Sequence, residues 1–180
     1  MKAAGALALA LCLIGCVAEQ PPDSDAGSAL NGPGSLIDHL AWSPLEAAED
    51  PFADHRPESV VCPEWARELE GEVYEIETDD CNYASLTQPS LRPLRAGERV
   101  DVVYWHLWLW APEVAQAHVA LTIGDWTVFE DQIEVPGPEG SYSPQVTVPH
   151  DIEAGAPITF HLHNHGVNSW RLLSIDRVQP

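Results

Sequence analysis

An all-β protein, built as an antiparallel β-sandwich of jelly-roll type behind a signal peptide and a disordered tether, is what this 180-residue sequence predicts. Three observations carry that expectation. Short runs rich in Val, Ile, Tyr, Trp, Phe and Thr recur from Val73 to the C-terminus, most of them bounded by Gly, Pro, Asp or Asn. No segment of helix length repeats its apolar residues with a helical period. About 120 residues remain once leader and tether are set aside, enough for a single core.

The elements follow in chain order. MKAAGALALALCLIGC has one Lys and then a short apolar run of small residues, too short to span a bilayer. It ends in Leu13-Ile14-Gly15-Cys16, which resembles a bacterial lipobox. That resemblance implies a signal peptide over 1–15, cleavage before Cys16, and acyl chains such as palmitate on the new N-terminus, each buried CH₂ adding about 0.8 kcal/mol to anchoring. Val17, where an Asp would stand in retained lipoproteins, implies the outer membrane of a Gram-negative-type envelope. Residues 16–56 read as the lipidated Cys and a flexible tether, because AEQPPDSDAGSALNGPGS cannot bury a core. SLIDHLAWSPLEAAEDPFADH holds a few apolar residues and is expected to give at most a docked helical turn, limited by Pro44.

The folded domain is expected over 57–180. PEWARELEG reads as a helical turn that Gly71 ends. EVYEIET, the long run ERVDVVYWHLWLW, and then HVALTI, WTVFE, QIEV, QVTVP, PITFHLH and WRLLSIDRV read as strands. Cys12 leaves with the signal and Cys16 carries lipid, so Cys62 and Cys81 remain, and an exported chain pairs them. A loop of that span contributes on the order of 3 kcal/mol by the chain-entropy model.

Charge narrows the partners. The single Lys lies in the leader, so seven Arg stand against 28 acids in the mature chain, a net charge of −21. Nucleic acid is excluded as a partner, since phosphate binding needs a basic face. An anionic membrane surface repels the domain as well, leaving the lipid as its attachment. The acidic stretch EWARELEGEVYEIETDD lacks a D-x-D-x-D-G calcium loop and reads as a solvated surface.

At the C-terminus, GVNSWRLLSIDRV resembles the closing strand of galactose-binding-like jelly rolls, the fold of many carbohydrate-binding modules. There a Gly-x-Asn-x-Trp turn precedes a last strand of the form W-x-I-D-D-I. The match covers Gly166, Asn168, Trp170, Leu172 and Ile175; the family's acidic pair falls on Leu173 and Ser174, so no role of that pair carries over. What the resemblance implies is the fold, with function left to the site.

Histidine supplies the candidate chemistry. In PITFHLH, Ile158, Phe160 and Leu162 share one face and Thr159, His161 and His163 the other. With the apolar set inward, His161 and His163 are expected to point outward together, their Cα atoms about 6.6 Å apart. If Trp110 pairs with Val114 in a hairpin, His106 falls opposite His118, on a face shared with Tyr104 and Trp108. Val103, Trp105, Leu107 and Leu109 are then the expected core set. Three readings follow. Tyr104, His106, Trp108, His118, His161 and His163 form a ligand face of stacking rings and orienting imidazoles, suited to carbohydrate or another polar ligand. Alternatively His161 and His163, with His106 and His118, hold Zn²⁺ or Cu²⁺, His165 being either a further ligand or a turn residue. The third reading is solvated or hydrogen-bonded imidazoles with no ligand. A blue-copper site is ruled out, because the cysteines are paired and Met1 is the only Met. Trp105 and Trp170 read as packing residues.

No catalytic motif stands out: there is no Gly-x-Ser-x-Gly elbow, and no Lys or free Cys survives maturation. The expectation is a non-enzymatic, lipid-anchored envelope protein displaying a carbohydrate- or polar-ligand-binding sandwich. A histidine metal protein, or a structural and adhesive envelope protein without small ligand, is the alternative.

Overall fold

In a computed structural model that describes residues 32–178, the strands pair into two antiparallel sheets packed face to face. In chain order they are β1 (Ser43–Pro44), β2 (Arg67–Glu70), β3 (Val73–Glu77), β4 (Tyr83–Pro89), β5 (Arg99–His106), β6 (Ala115–Ile123), β7 (Trp126–Val135), β8 (Gly140–Tyr142), β9 (Gln145–Thr147), β10 (Pro157–His163) and β11 (Ser169–Val178). One sheet has the order β1-β4-β10-β6-β7 and the other β2-β3-β11-β5, with β8 and β9 pairing two stretches of β5. The expected sandwich is therefore present. The signal peptide, Cys16 and the first half of the tether lie outside the described residues.

The core follows from alternation. Ile158, Phe160 and Leu162 of β10 face inward beside Val119, Leu121 and Ile123 of β6, and meet Ile76, Trp170, Leu172 and Ile175 from the other sheet. Each such side chain, fully buried, contributes about 1.5–3 kcal/mol relative to exposure. Cys62 and Cys81 form the expected disulfide, which ties the chain entering β2 to the end of β3.

Four expectations are corrected. PEWARELEG makes only a 3₁₀ turn at Glu64–Ala66 before Arg67–Glu70 pairs with β3, because Leu69 and Glu68 gain ladder partners in Tyr74 and Glu75. WTVFE and QIEV are one continuous strand, β7. On β5 the inward set is Val100, Val102, Tyr104 and His106, while Val103 and Trp105 are half-buried on the outer side. Both sets are apolar enough that alternation alone does not choose between them. Finally, β5 and β6 form no hairpin: they belong to different sheets, and the segment between them crosses over, Leu109 bridging Gly137 and Trp110 bridging Val167.

The tether expected to reach Arg56 is packed from Ser35 onward. Leu36 and Ile37 are fully buried, and Trp42 and Phe52 nearly so. The Leu36 N–H donates to Ile175 O and the Arg177 N–H to Gly34 O, so the chain enters beside β11. It then forms β1 against β4, and residues 45–56 run as a strap across the outer face of the five-stranded sheet, ending in a 3₁₀ turn at Ala53–His55. Scattered apolar residues sufficed here because each fills a separate position on a sheet that is already formed.

Candidate functional site

Under the strap lies an imidazole-rich layer. On the five-stranded sheet, register places His163 opposite both Tyr83 and His118, and His161 opposite Ser85 and Ala120. Glu130 of β7 stands opposite Ala120. These residues share the outer face, as alternation requires.

Asp50 fastens the strap to that face. Its Oδ1 accepts from Ser85 Oγ at 2.8 Å and from the Phe52 N–H at 3.0 Å, and its Oδ2 accepts from Tyr83 OH at 2.5 Å and Arg56 Nη1 at 3.1 Å. Burial would raise the Asp50 pKa, but the hydrogen bonds from Tyr83, Phe52 and Ser85 outweigh it and hold the carboxyl below its usual value. Burial first, and then the contact with Asp50, push the pKa of the Tyr83 hydroxyl up. Phe52 then lies over His161 with ring centroids 4.6 Å apart, and His55 stacks on His118 at 3.7 Å with the rings nearly parallel.

Four imidazoles thus meet beneath or beside the strap: His55, His118, His161 and His163, with His165 at 4.7 Å from His163. His161 is fully buried, and among the described residues neither ring nitrogen has a hydrogen-bond partner. Burial first, then the neighbouring His118, lowers its pKa to about 3. His163, half-buried, is lowered to about 4 by burial and by His165. His118 Nε2 meets Glu130 Oε1 at 2.9 Å, while its buried Nδ1 has no partner among the described residues.

The sequence-derived site is therefore partly assembled and partly dispersed. His161 and His163 do share a face with His118, but that face is covered, so the expected outward display of His161 is corrected: the strap and Tyr83 enclose it. Tyr104 and His106 lie between the sheets. Tyr104 donates to Asp131 Oδ2 at 2.9 Å and stacks on Tyr142 and Phe129. His106 pairs its Nδ1 with Leu107 O and its Nε2 with Tyr142 OH, a satisfied core histidine with burial lowering its pKa. Trp108 is 65% exposed, on the crossover between the sheets. The six-residue ligand face does not form, because the hairpin that would have joined it does not exist. His106 likewise leaves the metal set. Missed from the sequence were His55, Asp50 and Glu130; a lone His at the end of a presumed tether gives no periodic signal that it meets β6.

A second feature is an open cleft of about 850 Å³ between the turn leading into β6 and the turn after β10. Thr78, Asn82, Glu113, Gln116, Asn164 and His165 are among its lining residues. Asn164 is buried; its Nδ2 donates to Thr78 Oγ1 at 2.7 Å and its Oδ1 has no partner among the described residues. The resemblance segment builds this end of the molecule. Gly166 adopts φ +127°, and a Cβ there would collide with the carbonyl oxygen of Trp110, so only glycine lets the two turns meet. Asn168 Oδ1 accepts from the Trp110 N–H at 2.5 Å, and Trp170, Leu172 and Ile175 enter the core.

No family model matches the chain. No curated protein matches it either. Among solved structures it is similar to carbohydrate-binding modules at low sequence identity. One is a CBM4 module (8% identity, TM-score 0.43, covering 76% of this chain and 86% of that one). Another is a CBM61 module solved with β-1,4-galactotriose (16%, 0.39, 68% and 88%). A third is the second N-terminal cellulose-binding domain of β-1,4-glucanase C from Cellulomonas fimi (17%, 0.37, 81% and 94%). At these scores the likeness carries no ligand across; the sandwich stands on its own strand register.

Proposed function

We propose that this chain is a lipid-anchored envelope protein whose sandwich binds a polar small ligand, carbohydrate first, in the cleft between the 111–116 and 164–166 turns. The observation that supports this reading is Asn164, a buried amide whose Oδ1 is unpaired among the described residues, in a cleft whose polar lining includes Asn82, Glu113, Gln116 and His165. A buried polar atom left without a partner costs about 1–3 kcal/mol, which a ligand hydroxyl donating to it would recover. The neighbouring side chains offer both donors and acceptors to further hydroxyls. The cleft's size falls within the range of roughly 300–1,000 Å³ usual for small-ligand sites. Val114, 89% exposed at its lip, supplies an apolar surface for a sugar's C–H face. Binding, not catalysis, is the activity assigned. The anchor and the outer-membrane address rest on Leu13-Ile14-Gly15-Cys16 and Val17.

The test is a glycan screen on the Cys16→Ser chain, which should leave the membrane fraction; its retention there would overturn the anchor. A retained glycan should then bind about tenfold or more weakly to Gln116→Ala and Glu113→Ala, each exposed and remote from the core. Binding that ignores both substitutions overturns the cleft. A folded chain that retains no glycan overturns carbohydrate as the ligand and leaves adhesion to a macromolecule as the reading to pursue.

A further inference from the structure

We propose that His55, His118 and Glu130 form a divalent transition-metal site, zinc by preference, that staples the strap to the five-stranded sheet. This site is separate from the cleft and does not depend on its ligand. One nitrogen from each histidine and one carboxylate oxygen of Glu130 lie within 4.8 Å of one another. Ligand atoms about 2.0–2.2 Å from a tetrahedral zinc ion stand about 3.4 Å apart. The 2.9 Å between His118 Nε2 and Glu130 Oε1 needs to open by about 0.5 Å, and the half-buried His55 ring, stacked nearly parallel on His118 at 3.7 Å, has to turn out of that stack so that its nitrogen lone pair meets the ion.

The donor set suits the ion. Two neutral imidazoles and one carboxylate match borderline divalent metals such as zinc, and exclude the all-oxygen preference of calcium. The surroundings argue for a ligand as well. His161, fully buried with its ring centroid 5.0 Å from that of His118, has both nitrogens unpaired, and His118 Nδ1 is unpaired too. Three orphaned imidazole nitrogens in one layer form a donor-rich environment that hydrogen bonding within the protein does not use.

The staple follows from connectivity. His55 belongs to the strap, His118 to β6 and Glu130 to β7, so one ion would join three segments, of which the strap is held otherwise mainly through Asp50. Metal binding would then be read as strap closure.

The experiment uses the full chain in detergent, stripped with chelator and titrated with zinc chloride, with Co²⁺ as a spectroscopic reporter. One zinc per chain is expected, with cobalt giving the intense visible bands of a low-coordinate site. Hydrogen exchange in residues 52–56 should slow when zinc is added. Affinity should fall by about 100-fold in His55→Ala, at least what the loss of a supporting residue costs elsewhere. Glu130→Gln, at a 51% exposed side chain that can be changed without disturbing the core, should weaken binding by about tenfold or more. His150→Ala, which removes an exposed His–Asp pair elsewhere, should bind as the unaltered chain does. No zinc uptake, or uptake unchanged in both His55→Ala and Glu130→Gln, overturns the site. Zinc bound without added protection at 52–56 overturns the staple.

Discussion

The two faces of the five-stranded sheet are packed by opposite chemistry. Inward, Val119, Leu121, Ile158, Phe160 and Leu162 meet the second sheet in a contact that is mostly hydrocarbon, with the Tyr104–Asp131 hydrogen bond and His106 as its polar members. Outward, Tyr83, Ser85, His118, His161 and His163 are covered by the strap, and the layer is held by one carboxylate, aromatic stacking and imidazoles with unpaired nitrogens. The first face gains stability from area removed from water, in many small additive contributions. The second depends on a few polar groups whose loss leaves partners stranded, so its stability is concentrated at Asp50. A face of the first kind unfolds with the domain; a face of the second kind can open while the domain stays folded.

Substitutions can break or sharpen that contrast. Leu121→Ala, at a fully buried inward position, should cost about 2–5 kcal/mol and lower the global unfolding midpoint by every probe alike. Asp50→Ala removes the acceptor of the Ser85 hydroxyl and one of the two acceptors at the Tyr83 hydroxyl, the other being Phe52 O, and should cost about 1–3 kcal/mol. Its hydrogen exchange should rise in residues 45–56 while β6 and β10 remain protected; uniform loss of protection would mean that the two faces form one cooperative unit. The smallest effect is the most telling. In metal-free protein, His161→Leu removes two buried unpaired nitrogens and should stabilise by about 1 kcal/mol. It should also flatten the acid side of the stability profile. The folded imidazole has its pKa lowered to about 3, mainly by burial, against about 6.5 unfolded. As pH falls from 6.5 towards 3 the unfolded chain takes up a proton that the folded chain does not, so the unaltered protein loses stability through that window. Chemical denaturation at pH 7 and pH 4.5 checks it; a variant with an undiminished decline would place the titrating group elsewhere.

Legibility in the sequence followed the same division. The inward set of β10 was readable, because Ile158, Phe160 and Leu162 alternate with polar residues and period two leaves one choice. The inward set of β5 was not, because Val103, Trp105 and Leu107 look as suitable for a core as Val102, Tyr104 and His106, and no polar alternation decides. β4, with Ser85, Thr87 and Gln88 among its seven residues, carries no clear strand pattern in the sequence, although it supports the strap. The disulfide was readable from cysteine counting. The imidazole layer is half legible: His161, His163 and His118 stand out on strand patterns, but His55 and Asp50 come from a segment whose Pro-containing, acidic composition resembles a linker. What brings them in is tertiary, a hydrogen-bonded carboxylate and a ring stacked on a ring, and neither leaves a periodic trace.

The entry of the chain beside β11 has a mechanical consequence. Gly34 and Leu36 are hydrogen-bonded to Arg177 and Ile175, and the side chains of Leu36 and Ile37 are anchored in the core. The strap begins only after that point. Tension transmitted along the chain from before residue 32 is thus borne first by this clamp, across backbone bonds to β11, before it reaches Asp50 or His55. The imidazole layer lies beyond the clamp along the chain, and so outside the first point at which such a load is borne.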